Sequence, residues 1–304
     1  MVEIKKINTF TGHQGAVYTL EKGPTPNLFY SSGADGQIIE WDIDNPDKGR
    51  LIAKVTASVY ALKFIPVLNT LIVGQNFEGI HLIDVNKREE LGSLKMTDSQ
   101  IFDIQLLGDR VLIGTGDGKL HDVGLNDLQV RRSAKLSESS LRTLSVAPNG
   151  SSIIAGFSDN AFRVIDSHDF TPNQTVQAHD NSIFSTQFSP DTKTLITGSR
   201  DAHLKFWNVE KSYMVDQEIV AHMYAINHIV FHPDGHLFAT ASMDKTIKIW
   251  DYEKRKLIKV IDKARHGGHL TSVNKLYWSE HDNYLISGSD DRSVSVWEIV
   301  LKNV

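Results

Sequence analysis

The chain has no cysteine among its 304 residues, so disulfides and thiolate metal sites are excluded. Packing and hydrogen bonds must hold the fold. No segment approaches the roughly 18 consecutive apolar residues of a transmembrane helix, and the opening MVEIKKINTF lacks the apolar stretch of a signal peptide. A soluble, cytoplasmic protein without membrane association is the expectation. An excess of positive charge is also lacking: 32 Lys and Arg stand against 37 Asp and Glu, a net charge of −5. Dedicated nucleic-acid binders usually carry a basic face or a high pI, so nucleic acid is not the expected partner. Helical periodicity of useful length is missing too. What remains is an ordinary apolar content of 40%, enough for a sizeable core.

The chain is instead full of copies of itself. SGSDDRSVSVWEI (287–299) echoes TASMDKTIKIWDY (240–252), TGSRDAHLKFWNV (197–209) and SSGADGQIIEWDI (31–43). In all four an Asp precedes a Trp by six positions: Asp35 and Trp41, Asp201 and Trp207, Asp244 and Trp250, Asp291 and Trp297. In all four a His lies 22 positions before that Asp, at His13, His179, His222 and His269. Weaker copies fill the gaps. Asp159 precedes Ile165 by six and Asp117 precedes Val123 by six, while Ile83 takes the Trp slot with a one-residue slip near Glu78. The slot thus falls at 41, 83, 123, 165, 207, 250 and 297, in steps of 40 to 47 residues. Such a period marks a solenoid, array or propeller.

Pro66, Pro148, Pro190 and Pro233 follow strand-like stretches, and Pro-Asp and Pro-Asp-Gly are turn signals. TIKIW (246–250) and SVSVW (293–297) alternate as half-buried strands do. One copy cannot bury its face alone, so neighbours must stack, and radial closure protects the sheet edges.

These residues resemble the WD-repeat family. Its Gly-His and Trp-Asp ends stand as Gly12-His13 and Trp41-Asp42, with Ala178-His179, Ala221-His222, Trp250-Asp251, Trp207-Asn208 and Trp297-Glu298 as variants. The resemblance implies an all-β, seven-bladed WD40 β-propeller with four-stranded antiparallel blades. It would form a single domain over 1–304, with repeats at about 12–54, 55–95, 96–136, 137–178, 179–221, 222–264 and 265–304. Only seven residues follow Trp297, too few for a further outer strand, so the segment 4–10 is expected to close the ring by joining the last blade.

Each strong repeat also holds a hydroxyl four positions before its Asp: Ser31, Thr197, Thr240 and Ser287. Ser/Thr, His and Asp together suggest a hydrolase, but an enzyme needs one activated nucleophile with an oxyanion hole, not four equivalents. The resemblance implies that His, Ser/Thr, Asp and Trp form a hydrogen-bond chain inside a blade, and a satisfied buried network rigidifies it. Blades two to four, with Gly74, Ile113 and Ala155 in the hydroxyl slot, are expected to rely on packing. HGGH (266–269) pairs His266 with His269 without a carboxylate at metalloprotease spacing, and reads as a flexible loop. No metal or cofactor is expected. Lysines of the basic run 253–269 fit the solvated edge of an outer strand.

In the family, the side chain five positions after the His points to the narrow face and the channel mouth. The frame gives Tyr18, Tyr60, Phe102, Arg142, Phe184, Asn227 and Asn274. The turn position before each Asp adds Ala34, Phe77 (by the slipped alignment), Gly116, Ser158, Arg200, Met243 and Asp290. Aromatic and Arg residues are the usual anchors of interfaces. The expected function is a non-enzymatic scaffold that docks a protein or peptide on this rim, as a monomer within a larger complex. Two alternatives stand beside it. One is an enzyme or small-ligand binder using the channel, for which only Arg142, Asp103 and Glu138 fall in loose proximity. The other is a phosphopeptide or polyanion binder acting through Arg142 and Arg200.

Overall fold

Strands dominate because alternating β-branched and aromatic residues recur between Gly, Pro, Asn and Asp turns. A computed structural model describes residues 2–301. They form seven four-stranded antiparallel sheets arranged as the blades of a propeller. In blade one the strands are Val17–Lys22, Leu28–Gly33, Gln37–Asp42 and Arg50–Lys54, running from the channel outward. The first strands of blades two to seven are Val59–Ile65, Ile101–Leu107, Leu141–Val146, Ile183–Phe188, Ile226–Phe231 and Val273–Trp278.

Blade seven has three strands from the C-terminal end and one from the N-terminal end. Val2–Thr11 pairs antiparallel with Ser293–Leu301, from Val2 opposite Leu301 to Thr11 opposite Ser293. The closing strand is longer than the expected 4–10 and carries a bulge between Lys6 and Asn8. Its Phe10, almost fully buried, sits edge-on to Trp41 and Phe29 of blade one, with ring centroids 5.3 and 5.4 Å away. The seam is therefore locked by hydrogen bonds on one side and aromatic packing on the other.

The core lies between blades. Each buried cluster joins two neighbours: Tyr30, Ile38 and Ile52 of blade one meet Val59, Leu62 and Phe64 of blade two, and the same holds around the ring. Trp41, Trp207, Trp250 and Trp297 each cover their own blade against the one before it. Burying such a ring contributes about 2–3 kcal/mol. Close approach of blades also explains a glycine. A Cβ on Gly74, Gly198 or Gly288 would lie 2.9, 2.7 or 2.8 Å from Ile101, Ile226 or Val17 of the next blade. Gly74 is thus an inter-blade contact, and the hydroxyl slot of blade two holds Val73, opposite His81 as Ser31 is opposite Ile39.

That correction removes the expected slip. Strand register places Asn76, not Phe77, in the turn position before the Asp slot. Its N–H donates to Ser58 O, as Ala34 N–H does to Ala16 O and Arg200 N–H to Ser182 O. Phe77 itself occupies the Asp slot, with φ of 64°, whereas the left-handed residue of blade one comes one place later, at Gly36. The stretch 263–266, which ends on the first residue of the HGGH segment (266–269) expected as a flexible loop, is one helical turn. The Asp262 carboxylate accepts from Arg265 N–H at its start, and left-handed Gly267 ends it. No helix among the described residues is long and apolar enough to cross a membrane.

Candidate functional site

Four blades carry the same side-chain relay. In blade six, Trp250 Nε1–H donates to Thr240 Oγ1 over 3.0 Å, and the Thr240 hydroxyl donates to His222 Nε2 over 2.7 Å. His222 Nδ1–H then donates to Asp244 over 2.8 Å. The relay repeats through Trp41, Ser31, His13 and Asp35; through Trp207, Thr197, His179 and Asp201; and through Trp297, Ser287, His269 and Asp291. With Nδ1–H on the carboxylate and Nε2 taking the hydroxyl proton, every donor has an acceptor while the imidazole is neutral. Burial pushes the pKa values of His13, His179 and His222 below the ordinary histidine value, against the pull of their aspartates. Burial also pushes the aspartates up, but hydrogen bonds from the imidazole and from backbone N–H groups outweigh it and hold Asp201, Asp244 and Asp291 far below the usual carboxylate range. A hydroxyl whose lone pair accepts from an indole, and whose proton serves a buried imidazole, has no path to a substrate.

Blades two to four do not rely on packing alone. A polar side chain two positions before the Trp slot builds a substitute network. His81 bonds Gln75 over 3.1 Å, and His121 bonds Ser133 over 2.7 Å. Arg163 donates to both oxygens of Asp159, at 3.3 and 2.7 Å, while lying over Phe157. Repeat comparison in the strong copies did not show this slot, because there it holds Ile39, Lys205, Lys248 and Ser295.

With those polar groups occupied, the channel mouth is what remains. Every first strand bulges at the rim residue: the register shifts between Val17 and Thr19, and at the matching place in the other six blades. A bulge re-aims a side chain and leaves a backbone N–H out of its own ladder. In blades four to seven a first-strand N–H is taken by a channel side chain of the blade before. Leu144 N–H donates to Asp103, Thr186 N–H to Thr143, Ile229 N–H to Ser185 and Leu276 N–H to His228. Asp103 also accepts from Ile104 N–H and the Gln105 amide. It is a latch between blades, and burial pushes its carboxyl up against the nearby Lys275. Glu138 is exposed and pairs with Lys135 on the outer strand. Arg142, Asp103 and Glu138 therefore do not form one site.

The rim has two unlike halves. Tyr18 packs on Tyr60 at 4.8 Å between centroids, and Tyr60 stacks on Phe102 at 5.5 Å. The Arg142 guanidinium then lies between Phe102 and Phe184, 3.8 and 4.8 Å from the ring centres. These five side chains form an unbroken arc over blades one to five, around a channel cavity of about 630 Å³. Across the mouth, Asn227 donates to Ser272 Oγ and Val273 O, and Asn274 donates to Val17 O and Asp290. Those two amides stitch blades six, seven and one together. Arg200 and Met243 stand exposed in the turns, as does Phe77, 54% exposed on a backbone that disfavours a bulky residue. Repeat reasoning missed Met223, Tyr224 and Leu270, which follow tetrad histidines and are all exposed, Met223 at 81%. An apolar residue directly after His222 or His269 was the available signal.

The WD domain, G-beta repeat model matches residues 4–42, 170–208, 215–251 and 259–298, just over half of the chain. The chain belongs to the WD40 repeat family. It is similar to protein tipD of Dictyostelium discoideum, 24% identical over 98% of this chain and 49% of that protein. It is also similar to eukaryotic translation initiation factor 3 subunit I of Coccidioides immitis, 26% identical over 66% of this chain and 53% of that one. Striatin-4 of Homo sapiens is 24% identical over 68% of this chain and 23% of its own length. The chain spans about half the length of the curated relatives it matches first. Membership fits the propeller and a protein-interaction role of the scaffold type.

Proposed function

We propose that this WD40 propeller is a non-enzymatic docking scaffold that holds a protein or peptide segment on its narrow face, across the channel mouth. The observation that carries this reading is the continuous arc Tyr18–Tyr60–Phe102–Arg142–Phe184 around an open cavity. Rigid aromatic rings present large apolar area at low entropic cost, and arginine adds directed donors. Phe77, Arg200 and Met243 extend the face outward, with Met223 and Tyr224 beside Met243; Asn227 and Asn274 border it. Exposed methionines adapt to irregular partner surfaces. The tetrads supply the rigidity and take no part in recognition. A relative's name that denotes a subunit of a translation initiation factor agrees with assembly into a complex.

The test is capture of partners from the native cell extract, comparing the wild type with a Phe102→Ala/Arg142→Ala/Phe184→Ala variant. Partners identified with the wild type should be lost, while the melting temperature moves by only a few degrees. Retention of the same partners by the variant would reject the rim as the docking face.

A further inference from the structure

Arg142 has an unusual position for a charged side chain. Its guanidinium carbon lies 3.8 Å from the Phe102 ring centre and 4.8 Å from that of Phe184, yet no carboxylate reaches it among the described residues. Burial lowers its pKa to about 10, which leaves it fully charged at neutral pH. The chain's other well-covered arginines are paired: Arg110 with Asp122 at 2.8 Å, Arg163 with Asp159 at 2.7 Å, Arg255 with Asp216 at 2.8 Å. A half-buried cation normally finds a counter-ion, and its absence here leaves electrostatic work undone.

Resting on the docking reading above, we infer that Arg142 receives the carboxylate of a Glu or Asp side chain from an extended segment of the docked protein. A guanidinium presents paired N–H donors in one plane, and those of Arg142 have no hydrogen-bond partner among the described residues. A planar carboxylate matches such a fork with two parallel hydrogen bonds. The charge count selects a carboxylate over a phosphate. One unpaired positive charge balances one carboxylate, whereas a phosphoryl group brings a charge nearer −2. Tyr18, Tyr60, Phe102 and Phe184 would cover the apolar neighbours of that acidic residue. The ligand is therefore an acidic residue flanked by apolar ones, entering the mouth on the side of blades three to five.

The experiment uses three fluorescent heptapeptide pools with Ala, Leu and Phe randomised at the flanks and a fixed central Glu, Gln or phosphoserine. Binding to the intact protein is read by anisotropy. The Glu pool should bind about tenfold more tightly than the Gln pool, as charge-assisted bidentate bonds imply. That difference should vanish in Arg142→Gln and shrink in Arg142→Lys, which keeps the charge but not the fork; thermal melting confirms that each variant is folded. Equal binding of the Glu and Gln pools, both weakened by Phe102→Ala, would overturn the carboxylate assignment and leave the docking face standing. Preference for the phosphoserine pool would replace the carboxylate by a phosphate. Failure of all three pools to bind would overturn the inference, with the docking face then judged by partner capture alone.

Discussion

Thr240→Val keeps the outline of a fully buried side chain and removes its hydroxyl. That hydroxyl accepts from Trp250 Nε1–H at 3.0 Å and donates to His222 Nε2 at 2.7 Å. Its loss leaves an indole N–H and an imidazole nitrogen buried without partners, each costing roughly 1–3 kcal/mol. The expected destabilisation is about 2–6 kcal/mol. Blade three supplies the control in nature's own arrangement: Ile113 fills the hydroxyl slot there because Val123, not Trp, fills the partner slot, and no indole needs an acceptor. Trp250→Phe should accordingly cost less in the Thr240→Val background than in the wild type, with a coupling of about 1 kcal/mol or more. Guanidinium unfolding of the four proteins, followed by far-UV circular dichroism with matching refolding curves, measures the cycle. Additive effects within about 0.5 kcal/mol would refute the relay as a cooperative unit.

Acid should weaken the fold in two stages. The unfolded chain protonates its histidines near pH 6.5, whereas His13, His179 and His222 resist protonation until lower pH, so their contribution is full above about 6.5 and falls below it. His121, drawn down to about 4 by burial, alone accounts for a loss on the order of 3 kcal/mol across that window. The depressed Asp201, Asp244 and Asp291 add a second loss below about pH 4, where the unfolded chain takes up protons first. A melting temperature that stays flat from pH 7 to 4.5 would contradict the neutral buried histidines. Deleting residues 2–11 removes nine strand pairings and the Phe10 ring from Trp41, and should lower the melting temperature by 10 °C or more, read by circular dichroism. A truncated protein that melts like the full chain would show that the seam does not hold the ring.

The blade count, the strand order within a blade and the closing strand were legible because a Trp slot recurring every 40 to 47 residues, with His and Asp at fixed offsets, leaves little freedom. Blade two was misread locally. Its Asp slot holds Phe77, so the apparent motif pointed to Glu78, and the strand register that settles the matter depends on backbone pairing. The substitute networks at His81, His121 and Arg163 were illegible for a different reason: their slot is apolar or unpaired in some strong repeats, so repeat comparison gave it no meaning. The rim positions followed from the frame, but not their state. Nothing in the letters Asn227 and Asn274 says that their amides reach across blades, nor that Arg142 lies between two rings.

The departures from the repeat pattern are not scattered. Blades two, three and four lack the tetrad, and they contribute Tyr60, Phe102 and Arg142, the middle of the rim arc; blade two adds the left-handed Phe77. Blades six and seven keep full tetrads, and their rim residues are the two asparagines that stitch the ring. Local rules fail most often where a structure is shaped for something besides stability. A phenylalanine at φ of 64° costs on the order of 1–2 kcal/mol, and it persists here with its own ring exposed to solvent. On the docking reading, the divergent blades carry the middle of the recognition arc, while the braced blades hold the ring and supply the flanks at Tyr18 and Phe184. The same division locates the acidic residue of a partner over blade four, where a cation without a counter-ion is already held in place.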